Sequence, residues 1–486
     1  MIPNDSLEYC HDSYDDKPHE ACGVFGIFAP NEDVAKLTYF GLYALQHRGQ
    51  ESAGIAAFED GRVHSHKDMG LVSQVFSEEI LSELSGTHAI GHNRYSTTGS
   101  SHLRNAQPAI IDTRRGKFAL AHNGNLVNTP QLRKHLDDLG CNFDTTSDSE
   151  AIALAIGVEV DSGKDWLEAI QAALDYCHGA FSLTLSTPDS IYGIRDPNGV
   201  RPLVIGQLDR GGYVLASESC GLDIIGAQYL RDVQPGEIVR IDAEGLHSTI
   251  WQEAKPKLCV FEMIYFARPD SRNDEESLYS YRIRIGQILA KEAPADVDLI
   301  LGVPDSGIPA AIGFARTSGI PYAEGLIKNR YVGRTFIQPT QSMREAGIRM
   351  KLNPLKDVLE GKRVLIVDDS IVRGTTSRKL VKAIRDAGAT EVHMRVSSPP
   401  VTHPCFYGID TDTQDQLIAA TKSVEEIGEQ IGVDSLAYLS WEGMLNATNR
   451  NPDHFCSACF TGDYPIEVPE MLKRSKLMLE KTTQSP

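Results

Sequence analysis

The chain has 486 residues, 41% of them hydrophobic and 23% charged, which fits a soluble globular protein of two or three domains. A formal net charge of -19 argues against a broad nucleic-acid or anionic-membrane surface, though not against a small phosphate pocket built from backbone amides. The acidic opening MIPNDSLEYCHDSYDDKPHEA fits neither a secretory signal nor a transit peptide, and no run of about eighteen apolar residues could span a bilayer, so a cytoplasmic location is expected.

After this leader, ACGVFGIFA (21–29) reads as a buried strand. Val34, Leu37, Phe40, Ala44 and Leu45 then give 33–48 a helical period. Strands follow at 54–58, closed by the hairpin signal Asp60-Gly61, and at 88–95. FALAHN (118–123) predicts a strand running into a glycine-containing turn, and Thr129-Pro130 opens a helix that Gly140 stops. SDSEAIALAI and DWLEAIQAALDYC predict two more helices, and strands return near 180–186, 191–195, 202–206 and 213–217. Strands, a block of helices and strands again suggest helix-covered sheets in an α+β layout. Beyond about residue 250 helices and strands alternate: a helix near 278–292, DLILGV (298–303), a helix from 306, RVLIVDD (363–369), a helix from about 375, and VHMRVSS (392–398). That is the pattern of a parallel sheet with crossover helices. The KPK stretch at 255–257 marks the boundary, and the basic, weakly periodic 328–353 reads as a functional lid.

VLIVDDSIVRGTTS (364–377) places two acids at the carboxyl end of a buried strand, where parallel sheets bind ligands, and a small-residue loop at the start of a helix. The amides of 373–376 and the hydroxyls of Ser370, Thr375, Thr376 and Ser377 could wrap a phosphate at the positive end of the helix dipole. Asp368 and Asp369 could accept bonds from ribose hydroxyls; taken alone, the segment also fits a solvated turn capping a helix. GVPDSG (302–307) likewise follows an apolar strand and opens a helix, which makes a second anion loop. Two such loops describe a sugar bearing a monophosphate and a diphosphate. VLIVDDSIVRGTTS resembles the phosphoribosyl-diphosphate signature of type I phosphoribosyltransferases, GVPDSG their diphosphate loop, and 328–350 the loop that closes over substrate. The resemblance implies that Asp305, Ser306, Asp368, Asp369, Ser370, Arg373, Gly374, Thr375 and Thr376 bind phosphoribosyl diphosphate. It also implies one Mg2+ per subunit among Ser306, Asp368 and Asp369, and a flexible loop or channel wall carrying Lys328, Arg330, Tyr331 and Arg334.

A thiol is a weak nucleophile until a base takes its proton. Cleavage before Cys22 would free an α-amine with a pKa of roughly 8, able to act as base for its own side chain; a lone cysteine in a strand otherwise reads as packing. Asn123 and Gly124 in HNGN (122–125) offer an oxyanion site, Arg94 in HNRYST a fork for a carboxylate, and Asp148 in SDSE a partner for an ammonium. CGVFGI, LQHRGQESAGI, HNRYSTTG, HNGNL and SDSE, in this order, resemble the glutaminase domain of class II amidotransferases over about 22–250. The implied fold is an N-terminal-nucleophile αββα sandwich, followed by an α/β type I phosphoribosyltransferase domain. The expected division is a propeptide at 1–21, glutaminase at 22–252, phosphoribosyltransferase at 253–470 and a tail at 471–486.

A glutaminase joined to a phosphoribosyltransferase resembles the amidophosphoribosyltransferase family, whose reaction converts glutamine and phosphoribosyl diphosphate into phosphoribosylamine, glutamate and diphosphate. That resemblance implies a homotetramer inhibited by purine nucleotides. The nine cysteines are odd in number, and FCSAC alone fits zinc, redox chemistry or packing. Cys259, Cys405, Cys456 and Cys459 resemble the ligands of the subgroup with one structural [4Fe-4S] cluster per subunit and a cleaved propeptide; Cys141, Cys177 and Cys220 read as packing residues, and Cys10 has no assigned role. The competing readings are another class II amidotransferase with a different acceptor, and a regulatory protein that senses phosphoribosyl diphosphate without turnover.

Overall fold

The computed structural model describes residues 22–95, 102–274, 276–329, 352–409, 411 and 413–469. The leader with Cys10, the lid residues Arg330, Tyr331 and Arg334, and the tail 471–486 lie outside them.

The run GVFGIF is buried at every position and becomes β1 (Gly23–Phe28), the middle strand of an antiparallel sheet. The amino-terminal half continues with β2 (Ser52–Glu59), β3 (Arg62–Met69), β4 (His88–Arg94), β5 (Ala109–Ile111), β6 (Phe118–Leu126), β7 (Gly179–Ser186), β8 (Ile191–Arg195), β9 (Val204–Gln207), β10 (Tyr213–Ala216), β11 (Gln228–Asp232), β12 (Glu237–Asp242) and β13 (Gly245–Ile250). One sheet runs β11-β9-β10-β1-β4-β2-β3 and the other β13-β12-β8-β7-β6-β5. An apolar layer that includes Val24, Phe58, Ile90, Ala119, Ala121, Ile205 and Val239 lies between them. The helix Val34–Ala44 covers the outer face of the first sheet, and Asp148–Asp161 and Trp166–Leu174 cover the second. The result is the expected αββα sandwich.

One local expectation is corrected. HNGN is not a turn after a strand: β6 runs through it to Leu126, with Gly124 opposite Phe181 and Leu126 opposite Gly179. The ladder with β7 overrides the turn preference of Asn-Gly, and glycine is what permits it. Gly124 has φ +146, and a Cβ there would lie 2.0 Å from the Ala180 carbonyl oxygen. The predicted elements also left out β11, β12 and β13, of which β11 and β13 are partly exposed and lack a continuous apolar run.

In the second half β14 (Leu258–Cys259), β15 (Arg272–Asn273) and β16 (Glu276–Ser277) are short. The parallel sheet follows in the order β17-β20-β21-β22, from β17 (Leu299–Gly302), β20 (Arg363–Asp368), β21 (Glu391–Val396) and β22 (Ser435–Tyr438). Its two motif-bearing strands are neighbours, Gly302 pairing with Val367, so both anion loops leave the same sheet end side by side. β18 (Leu326–Lys328) and β19 (Leu352–Pro354) pair antiparallel at the two ends of the segment expected to form a lid. β23 (Phe455–Cys456) returns to pair with β14, with Cys456 opposite Cys259.

Candidate active site

Cys22 precedes β1, and the register of β1 on β4, Gly23 opposite Asn93, carries its side chain to the end of β4 beside Arg94. The thiol is 7% exposed and donates to the Tyr95 carbonyl at 3.4 Å. Burial pushes it up to about 11; the Tyr95 bond and Arg94 pull it down, while Glu51 and Asp148 push it further up. Glu51 Oε2 stands 3.7 Å from Arg94 Nη1. Asp148 opens its helix and accepts from the Leu126 amide at 3.0 Å, with His122 Nδ1 at 3.6 Å. Burial pushes the Asp148 carboxyl up, yet His122 and the amides of Leu126 and Ser149 hold it below the ordinary carboxylate range.

His92 Nε2 and the His122 carbonyl, 3.0 Å apart, tie β4 to β6 across the sandwich. Asn123 is fully buried, and among the described residues neither its side-chain nitrogen nor its oxygen has a hydrogen-bond partner. A buried amide without partners is costly unless a ligand completes it. The arrangement can hold an amino acid by both charged ends with its side-chain carbonyl over a thiol.

At the second site Asp369 is the hub. It accepts from the Ser306 hydroxyl, from the other anion loop, and from the Ser370 hydroxyl at 2.7 Å, while its own amide donates to Asp368 at 2.9 Å. Asp368, Asp369 and Ser370 are buried. Gly374, at φ +78, caps the helix Thr375–Asp386, whose first hydroxyls from Thr375 and Thr376 stand half-buried. Arg373 reaches Gln416 at 3.1 Å, and Lys328 from β18 pairs with Asp305 at 2.7 Å. Two carboxylates and a hydroxyl suit Mg2+, which completes its shell with water and substrate oxygens.

The four cysteines named from sequence line one cavity, together with Arg201, Phe261, Tyr407 and Tyr464. Tyr407 N–H donates to Cys405 Sγ at 3.3 Å, and the Cys459 carbonyl accepts from the amides of Thr402 and His403. Burial pushes the thiols of Cys259, Cys456 and Cys459 up. Among the described residues only Asp242, Glu244 and His247, on the β12–β13 hairpin, bring three ligand atoms within 4.8 Å of one another. No three of the cavity sulfurs are that close, whereas a tetrahedral zinc-thiolate site has edges of roughly 3.8 Å. A multi-iron cluster fits the wider spacing. Cys177 and Cys220 sit in the apolar cores of the sandwich, with Cys141 packed against one of them.

Sequence reading missed Glu51 and His122, both inside motifs it used, because an ionisable residue in a motif does not announce which side chain it meets. It also missed a buried ion network between the halves. Arg48 donates to Glu218 at 2.5 Å and to Glu262, Arg201 donates to Glu262 at 2.9 Å, and Ser271 donates to Glu218 at 2.6 Å.

The N-terminal-nucleophile sandwich and the adjoining phosphoribosyltransferase sheet define a glutamine amidotransferase acting with a phosphoribosyl acceptor. Residues 92–223 match a glutamine amidotransferase domain and 282–398 a phosphoribosyl transferase domain. The chain is 72% identical to the amidophosphoribosyltransferase of Synechococcus elongatus over 96% of both chains, and 50% identical to that of Bacillus subtilis over 93% of this chain and 95% of that one. A solved structure of the Bacillus subtilis glutamine phosphoribosylpyrophosphate amidotransferase complexed with ADP and GMP superposes with a TM-score of 0.87 at 48% identity, covering 92% of this chain and 98% of that one. The chain belongs to the amidophosphoribosyltransferase family. It is an enzyme that uses glutamine to aminate 5-phosphoribosyl 1-diphosphate in purine biosynthesis, which removes both the sensor and the other-acceptor readings.

Proposed function

We propose that glutamine is opened at Cys22 and that the released ammonia crosses inside the protein to phosphoribosyl diphosphate held at Asp368 and Asp369. The chain divides at the boundaries expected from sequence, with 1–21 removed, 22–252 as the glutaminase, 253–470 as the phosphoribosyltransferase and 471–486 as a tail. Once Cys22 is the first residue, its α-amine takes the thiol proton and the thiolate attacks the amide carbon. Asn123 and the Gly124 amide hold the oxyanion, Arg94 the substrate carboxylate and Asp148 its ammonium. Water then hydrolyses the thioester to glutamate. The observation that carries this reading is the fully buried amide of Asn123, partnerless among the described residues, on the strand that His92 ties to the one ending beside Cys22.

At the second site the loop Ser370–Thr376 holds the 5-phosphate, Asp305 and Ser306 hold the diphosphate, and the acids orient the ribose. Lys328 and the lid residues Arg330, Tyr331 and Arg334 close over them and wall off ammonia. Mg2+ held by Ser306, Asp368 and Asp369 would offset the charge on the departing diphosphate. Cys259, Cys405, Cys456 and Cys459 hold one structural [4Fe-4S] cluster. Among the described residues no helix is long and apolar enough to cross a membrane; we place the enzyme in the cytoplasm, as a homotetramer inhibited by purine nucleotides.

Intact-mass and N-terminal sequencing of active enzyme test the glutaminase reading. The mature chain should begin at Cys22, and an electrophilic glutamine analogue should label that residue. Full glutaminase activity in protein that still carries its leader would remove the α-amine base and the mechanism with it. Iron and sulfide analysis tests the cluster, with zinc as the contrary result.

A further inference from the structure

Arg201 lies on the glutaminase side of the molecule yet lines the four-cysteine cavity. It is fully buried. Its Nη1 donates to Glu262 at 2.9 Å, but among the described residues Nε and Nη2 have no hydrogen-bond partner. Glu262 is shared, because Arg48 also donates to it, so Arg201 is only partly neutralised. A guanidinium has five donors in a fixed fork, and an unsatisfied edge buried away from water is strongly disfavoured unless something anionic meets it. The cavity wall offers that partner. Four thiolates around an iron-sulfur core leave a net negative charge, in surroundings otherwise lined by Phe261, Tyr407 and Tyr464.

We propose that Arg201 is the counter-ion of the cluster, its free edge facing the cluster sulfurs while its other edge is anchored by Glu262. The inference rests on the [4Fe-4S] reading above. Arg201 thereby acts as a positioning residue that couples cluster occupancy to the domain contact. The chain of buried pairs runs from the cavity through Arg201, Glu262 and Arg48 to Glu218, and so joins the cysteine cage to both halves. A cation held beside the cluster resists its oxidation, since losing an electron makes the cluster less negative and weakens their attraction.

The test compares wild-type enzyme, Arg201→Lys, Arg201→Gln and the double variant Arg201→Met with Glu262→Gln, all purified without oxygen. The double variant removes both charges together, so it does not strand a buried carboxylate as the single change does. Iron and sulfide per chain are measured first, then the decay of the visible cluster absorbance on exposure to air. Wild type and Arg201→Lys should keep their iron and bleach slowly. The two neutral variants should either lose iron during purification or bleach faster by roughly tenfold, the order expected for removing one buried charge. Full iron content with wild-type bleaching in the neutral variants overturns the proposal. So does equal damage in Arg201→Lys and the double variant, which would mean shape rather than charge. Wild-type protein lacking iron and sulfide would instead bring down the cluster reading, and this inference with it.

Discussion

A buried thiol pushed up to about 11 is protonated at neutral pH, so the chemistry at Cys22 depends on what removes its proton. The charged groups that act on it are Arg94, Glu51 and Asp148, and none of the three is suited to be a base: one is a cation, one is paired to that cation, and one is held ionised by His122 and backbone amides. In the proposed mechanism the α-amine exposed by cleavage fills the gap. Asn123→Ala should lower glutaminase kcat by about 10²–10³, the usual loss of an oxyanion donor, while synthesis from free ammonia stays near wild type. Steady-state assays with each nitrogen donor separate the two, and equal losses would contradict the assignment. Cys22, Arg94, Asn123 and Asp148 were legible because each sits in a short local motif. Glu51 and His122 became meaningful only once strand pairing placed them, since their partners are distant in sequence.

At the level of elements, the candidate phosphoribosyl site rests on β20 and its loop. Everything that marks it is contiguous: an apolar strand, two acids, small residues and a helix start. Asp368→Asn with Asp369→Asn should abolish phosphoribosylamine synthesis from either nitrogen donor while glutamine hydrolysis persists; loss of hydrolysis in folded protein would contradict separate sites. The cysteine cage lies at the other extreme. Its four residues come from three separate segments, and only the β14–β23 pairing reveals why Cys259 meets Cys456. The segment carrying Cys405 touches the strand of the candidate glutaminase site, because Asn125 of β6 donates to the Phe406 carbonyl at 2.9 Å. A Cβ on Gly408, at φ +106, would lie 2.9 Å from the Gly124 Cα. Gly408→Ala should therefore displace the oxyanion strand and lower glutaminase kcat by about tenfold or more. Unchanged glutamine turnover in that variant would show that β6 tolerates the shift.

Across the whole molecule, the two halves are held by buried charge as well as by apolar contact. Burial pushes the Glu218 carboxyl up, but His47, Arg48 and the Ser271 hydroxyl outweigh it and hold it far below its ordinary range. A carboxyl depressed on folding contributes stability above its unfolded value, about 4.3, and that stability is lost as pH falls below it. Thermal melts should thus fall steeply between about pH 5 and pH 3, and less steeply in Glu218→Gln, which has no such proton to gain. Parallel slopes would place the acid sensitivity elsewhere. None of this network was visible in the sequence, where Arg48, Glu218 and Glu262 are ordinary charged residues far apart.

The most direct test of the central claim, two separate sites linked by ammonia, is Cys22→Ala assayed for phosphoribosylamine with glutamine and with ammonium salt. The account predicts that glutamine-dependent synthesis falls to background while ammonia-dependent synthesis stays within about twofold of wild type. Loss of both activities in a folded protein would contradict it.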